Sequence, residues 1–382
     1  MLFAKLAKLL ASFIFVQPCR YKNKILYLHW ISCIKMDTEN KTHITIPSQW
    51  HHLSMQQLAD YHSAVVKGED DFRFRLYAFM VLSNLEITGM TYEQPPTDAD
   101  VDTQMTWLQE ALYGEHKIVL LKQRGEGEGS DGFLPISPED LCSSARHYTQ
   151  WMLDEPLKLL KLPEKFITIG GETFALPSVI GHDDRIVRYG QYGTMQTFMT
   201  AYWTTADKAS KLYPTEGEPN ETNKEQGDAL ATALRQYRNG FIASLLLPTH
   251  TEEQRIDDAN EAKGYHTEMV RVVHAYDSAQ HERICKVVDN APAWLFPLLL
   301  HLVQSALAYY HARFPDLISG GEKGKNTDQY VAKLSTDNTV MKYAGYSSVE
   351  AVNQEPFPVI LERLDAIAKE NKEYQKIKNK QK

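Results

Sequence analysis

Residues 294–314, WLFPLLLHLVQSALAYYHARF, form an apolar run that must leave water, and only a bilayer or a protein interior can take it. A bilayer span needs about 20 predominantly apolar residues. Pro297, His301 and Gln304 interrupt this run, and its unbroken stretches fall far short of a span. A buried core helix is therefore the expectation. With 382 residues, 43% of them apolar and 24% charged, the chain is long enough for two or three compact units.

Hydrophobic periodicity along the rest predicts a mainly α chain with a minor β component (α+β), helical-bundle-like and with at least one β-hairpin. HITIP (43–47) reads as a short strand. Ser54 and Gln57 then form a Ser-x-x-Gln capping box ahead of a helix reaching about Val66. DDFRFRLYAFMVLSNL (70–85) sets Phe72, Leu76, Phe79 and Met80 on one helical face. HKIVLLK (116–122) has the length and β-branching of a strand, and Ser137-Pro138-Glu139-Asp140 starts a helix running to about Leu153. KFITIGGETFAL places Gly170-Gly171 between two alternating runs, which predicts a tight hairpin near 166–176. Helices follow over 193–209 and over 228–247, the second with Leu230, Leu234, Tyr237, Phe241 and Leu245 on one face and Pro248 as its stop.

Composition suggests an N-terminal α+β domain over 36–212, a polar linker over 213–227, a helical domain over 228–318 and a C-terminal helical tail over 319–382. Residues 1–35 stand apart. They carry six basic side chains and no acid, leaving 35 basic against 49 acidic residues in the remainder, a net charge of −14. Lys5 and Lys8 before LLASFIFV imitate a signal peptide, but Val16 and Pro18 occupy the positions before Cys19 where small residues belong. An over-long start is the preferred reading, with synthesis beginning at Met36; a weak membrane or lipid anchor and a folded part of the domain are the alternatives.

The acidic body repels phosphate backbones, so no nucleic acid is expected as a partner. Cys19, Cys33, Cys142 and Cys285 match no zinc or redox spacing, and Cys142 and Cys285 read as buried thiols of a reducing compartment. QRGEGEGSDG (123–132) is glycine-rich, but Glu126, Glu128 and Asp131 would repel a phosphate. His51 and His52 are adjacent and would diverge by about 100° on a helix. His266, His274 and His281 are spaced 8 and 7, too far apart to chelate one ion if they share a continuous helix. His182-Asp183 is the most suggestive polar pair, open to a metal-dependent phosphohydrolase reading if His147, His250 or His274 joined it. No nucleophile motif and no paired-carboxylate arrangement is found, so no enzyme, cofactor or metal is expected.

The last helix is more informative. Ile360, Leu364, Ile367, Asn371 and Tyr374 are spaced 4, 3, 4 and 3, a heptad seam too short to hold a coiled coil alone in water. Residues 369–382 carry six lysines against two glutamates, and Lys376 and Lys378 flank the end of the seam. These seven residues are the candidate partner-binding surface.

The segments ITIPSQWHHLSMQQLADY, FITIGGETFAL, RIVRYGQYGTMQTFMTAYW, FIASLLLP and AGYSSVEAVNQEPFPVILERLDAI come in an order that resembles a group of proteins from tailed phages and prophages of gut Bacteroidetes. The resemblance spans residues 36–382 in outline. It implies a tail-assembly chaperone or tail accessory protein with no catalytic residues. It also implies a location in the bacterial cytoplasm and another tail protein, such as the tape-measure protein, as partner. Two other readings stay open: a phosphohydrolase using His182 and Asp183, and a membrane-attached protein held by residues 1–35.

Overall fold

A computed structural model describes residues 46–65, 71–90, 119–123, 134–136, 138–181, 183–212, 221–257, 265–314 and 345–380. The architecture is mainly helical with a smaller antiparallel β component, as the periodicity predicts. Contacts divide the chain into two compact units. One holds the described parts of Lys67–Asp154, and the other holds Trp50–Val66 together with Glu155–Lys382. The composition-based boundary at 213–227 does not separate units. Residues from Glu221 onward are helical, and the helices on either side of 213–220 belong to one body. A polar connection marks exposure, and an exposed connection can join two helices of one core as readily as two domains.

The Lys67–Asp154 unit contains helices α2 (Asp71–Ser83) and α3 (Pro138–Asp154) and a three-stranded sheet of β1 (Leu85–Met90), β2 (Val119–Gln123) and β3 (Leu134–Ile136). Leu76 through Leu82 are buried without a break, so α2 is covered all round over that stretch rather than along one stripe. Its buried Ser83 hydroxyl donates to the Phe79 carbonyl at 2.7 Å, and Asn84 turns the chain into β1 with a left-handed φ of 54°. The Phe79 ring stacks on Tyr148 of α3 at 5.9 Å, and Arg75 donates to Gln150 at 3.2 Å. HITIP lies almost wholly outside the described residues, and Ile46-Pro47 are not in a strand.

The second unit begins with a turn at Trp50–His52 and helix α1 (Met55–Val65). The capping box is reciprocal: the Gln57 amide donates to Ser54 Oγ at 3.2 Å, and the Ser54 amide donates to Gln57 Oε1 at 2.9 Å. After Glu155 come β4 (Phe166–Ile169) and β5 (Glu172–Ala175), joined by Gly170 and Gly171 at φ 57° and 85°, the left-handed pair a type I′ hairpin turn requires. Helices α4 (Tyr189–Leu212) and α5 (Glu221–Leu245) follow.

Pro248 is not a helix stop. Helix α5 ends at Leu245, and β6 (Leu247–Asp257) starts almost at once, with Pro248 opposite Phe174 of β5. Antiparallel to β6 runs β7 (Tyr265–Val273), completing a sheet of order β4-β5-β6-β7. Only Leu247 and Pro248 pair with β5, whereas β6 and β7 pair from Thr249–Val273 out to Asp257–Tyr265. The hairpin thus runs on past the sheet, with Thr251 to Gln254 and Thr267 to Met269 exposed. His266 and His274 belong to this hairpin and its exit, and no helix joins them to His281.

The core of this unit is laid down by Phe241 to Leu247, seven residues buried in succession at the junction of α5 and β6. Against them pack α4, α6 (His281–Val287) and α7 (Leu295–Arg313), in which nine residues including Leu298, Leu299 and Leu302 are buried. The apolar run of 294–314 is thus a core helix. Among the described residues, no helix is long and apolar enough to cross a membrane.

Helix α8 (Val349–Gln354), capped by Ser348, and helix α9 (Phe357–Lys380) close the chain. Two backbone bonds tie their junction to the start of α4: Tyr189 N–H to Glu355 O at 2.9 Å and Phe357 N–H to Val187 O at 2.8 Å.

Helix α4 packs against Gly240 of α5. A Cβ there would lie 2.4 Å from the Phe198 ring, which is held against His281 at 5.0 Å and 15°, while His281 Nε2 donates to the Gly240 carbonyl at 3.0 Å. In an open helix Gly→Ala stabilises by roughly 1 kcal/mol. Here the ring must move and break its stack, so Gly240→Ala should destabilise by about 1–3 kcal/mol. Thermal unfolding of the variant should show a lowered midpoint.

Candidate functional site

Among the described residues, three groups of polar side chains in the second unit bear on function, and the end of α9 adds an apolar surface. The first polar place is a turn. Asp183 accepts from the Arg185 amide at 3.1 Å and from Arg185 Nη2 at 2.5 Å, so both its oxygens are engaged by one neighbour. His182 lies outside the described residues. His250 and His274 face each other instead, and His147 is an exposed residue of α3 whose ring packs on Tyr148. Among the described residues, no three or more histidine, cysteine, aspartate or glutamate side chains form a group that could hold a metal ion.

The second place is buried. His62 of α1 and His301 of α7 approach at 3.3 Å, and His301 Nε2 lies 2.6 Å from the Pro156 carbonyl. A carbonyl only accepts, so His301 carries its proton on Nε2 and presents a bare Nδ1 to the N–H of His62. That leaves His62 Nδ1 as an acceptor, buried and without a hydrogen-bond partner. Trp50 packs edge-on against His301 at 4.6 Å and donates to the Glu155 carbonyl at 2.8 Å. Burial holds His62 well below the usual histidine range, and the nearby His301 adds to the effect. Burial likewise pushes His301 down to about 4, outweighing the opposing pull of its bond to Pro156. The pair fixes α1 on α7, and three of its four nitrogens are taken up in that task.

The third place is a cavity of about 390 Å³ where β5 and β6 part company. Glu172, Thr173, His250, Arg271, His274 and Arg283 are among its lining residues. Arg283 is engaged by Glu172 at 2.5 Å, and the Arg271 guanidinium lies over the Phe166 ring at 5.1 Å. Thr249 Oγ1 donates to the Thr173 carbonyl at 2.8 Å where the strands begin to separate.

The chain matches no protein-family model, no curated protein and no solved structure.

The apolar place is the surface of α9, where the seven candidate partner-binding residues divide. Ile360 is fully buried within the unit and is closed to any partner. It sits one turn after Phe357, which stacks on Tyr192 at 3.9 Å, so the start of the seam belongs to the protein's own core. Leu364 and Ile367 are half-buried. Beyond them the helix leaves the body: Tyr374 is 65% exposed, Ile377 is 55% exposed, and Lys376 is exposed. The backbones of Asn371 and Lys378 lie in α9, but their side chains are outside the described residues. Ile377 was not singled out by the heptad spacing. It lies three residues beyond Tyr374 and on the same side of a helix.

Cys142 and Cys285 are free thiols, half-buried, and burial pushes both above the usual thiol range. Cys285 Sγ sits 3.6 Å from His281 Nδ1, whose proton is on the other nitrogen.

The His62–His301 pair predicts a pH dependence. In the unfolded chain both imidazoles take up a proton near 6.5, whereas folded His301 does so only at about 4. The contribution to stability is complete above about pH 6.5, is lost as pH falls from there to about 4, and changes no further below, a loss on the order of 3 kcal/mol for His301. Urea unfolding between pH 7 and 5 should show this decline, and His301→Gln should flatten it.

Proposed function

We propose that the protein works by contact rather than catalysis, as a phage tail assembly factor whose partner is another tail protein such as the tape-measure protein. One observation carries the contact reading: among the described residues, the described side chains in the last three turns of α9 are exposed, while they continue a seam whose first residue, Ile360, is buried. From Lys369 to Lys380 the helix extends by about 16 Å at 1.5 Å per residue, and each residue there whose side chain is described is exposed. An uncovered helical stretch of this length is marginal in water. Tyr374 and Ile377 supply an apolar strip for a second helix, and the six lysines of 369–382 select one with acidic flanks.

The setting in tail assembly, and with it the bacterial cytoplasm, rests on the resemblance of the five quoted segments to tail accessory proteins. The phosphohydrolase alternative gains no geometric support, because Asp183 is engaged by Arg185. The anchor alternative concerns residues 1–35, which lie outside the described residues.

The test is co-expression with any long helical tail protein whose reading frame neighbours the gene. The two proteins should co-purify. Tyr374→Glu with Ile377→Glu should abolish the complex and leave the unfolding midpoint of the isolated protein within a degree or two, since both side chains are exposed. Ile360→Ala should cost about 2–5 kcal/mol of stability. A complex indifferent to the double substitution would refute α9 as the docking surface, and the absence of any complex with a tail protein would refute the assembly reading.

A further inference from the structure

We propose that His250 and His274 form a binding site for a divalent transition metal of the zinc class at the root of the β6–β7 hairpin. Their nitrogens, His250 Nδ1 and His274 Nε2, lie 3.1 Å apart, with ring centroids at 4.7 Å and planes inclined by 36°. Two imidazole nitrogens bound at roughly 2.0–2.1 Å to one ion stand about 2.9–3.4 Å apart, depending on whether the angle between them is octahedral or tetrahedral. The observed separation falls within that window. In the metal-free protein this separation is that of an N–H···N hydrogen bond, and a turn of the two rings on their side chains, at the spacing the backbone already sets, would bring both nitrogens onto one ion.

Strand geometry explains why these two side chains meet. The His274 amide donates to the Pro248 carbonyl at 3.0 Å, and His250 stands opposite Val272. The two histidines are therefore diagonal neighbours on one face of the hairpin, the arrangement in which cross-strand side chains reach each other. Both are exposed and both line the 390 Å³ cavity, which leaves room for water to complete the coordination shell.

Glu252 supplies the orienting partner. Its Oε2 lies 3.4 Å from His250 Nε2, the nitrogen turned away from His274. A carboxylate on the far side of a ligating imidazole holds the proton there and leaves the other nitrogen bare for the metal. In the metal-free protein His274 Nε2–H donates to that bare nitrogen. Binding requires only that His274 carry its proton on Nδ1 instead, so both rings remain neutral and no net charge is displaced. The buried His62–His301 pair has a similar spacing, but His301 Nε2 is already committed to Pro156, and His301 Nδ1 and His62 Nε2 to each other.

With two protein ligands the site is exchangeable, and it acts as a staple. The bound ion joins the start of β6 to the segment leaving β7 where the hairpin quits the sheet. This departs from the expectation that the chain holds no metal, and it is independent of the contact function proposed above.

The tag-free full chain should bind one Zn²⁺ or Ni²⁺ in isothermal titration at neutral pH, and should not bind Mg²⁺ or Ca²⁺, which prefer oxygen ligands. His250→Ala and His274→Ala should each weaken Zn²⁺ binding at least tenfold. Glu252→Gln should weaken it by about tenfold, the lower end of the usual effect of an outer partner. Zinc should raise the unfolding midpoint of the native chain but not of either histidine variant. Asp183→Asn and the double change His51→Ala/His52→Ala should leave binding unchanged. The proposal is overturned if submillimolar zinc does not bind, or if binding survives loss of His250 or His274 and follows Asp183 or His51 and His52 instead.

Discussion

The larger unit depends on the burial of Phe241 to Leu247, where a helix becomes a strand without an intervening loop. Seven consecutive side chains cannot all be covered by one neighbour. Their burial requires α4 on one side, α6 and α7 on another, and β5 beside Leu247 and Pro248. At about 25 cal/mol per Å² of apolar surface removed from water, their burial is a large favourable contribution to this unit. Gly240 sets how closely α4 can approach it, because the Phe198 ring occupies the space a larger residue would fill. The hairpin of β6 and β7 is then a continuation of the core strand into solvent, and its position follows from the same junction.

Much of this was legible in the sequence because local chemistry and final structure agree. The Ser54–Gln57 box, the Pro138 helix start, the Gly170-Gly171 turn and the apolar helix of Leu295–Arg313 are each set by residues within a few positions of one another. Strands β6 and β7 were not legible. Over most of their length neither face is buried, so residues such as Thr251, Glu252 and Glu253 carry no apolar alternation for a periodicity argument to find. Strand β1 was not read: the expected helix ran to Leu85, the strand's first residue, and the switch depends on the left-handed Asn84 rather than on a glycine or proline.

The candidate sites follow the same division. The seam of α9 could be read from spacing, but spacing does not say where burial stops. Ile360 lies in the core and Tyr374 in water, although both fit one heptad pattern. His250 and His274 are separated by 24 positions, a distance without meaning until the hairpin register is known. Asp183 looked chemical because it adjoins His182, yet its carboxylate is spent on shaping a turn with Arg185.

The order of the units along the chain has a consequence for biosynthesis. Among the described helices α1 leaves the ribosome first, but α7, against which it packs, is made only after the whole Lys67–Asp154 unit and much of the remaining chain. At roughly 5–20 residues per second, tens of seconds pass between the two. During that interval Trp50, Leu53 and Leu58, all buried at the end, have no native surface to cover them. The nascent chain therefore carries a sticky leading segment while the inserted unit matures, and closure around His62 and His301 is among the last events of translation.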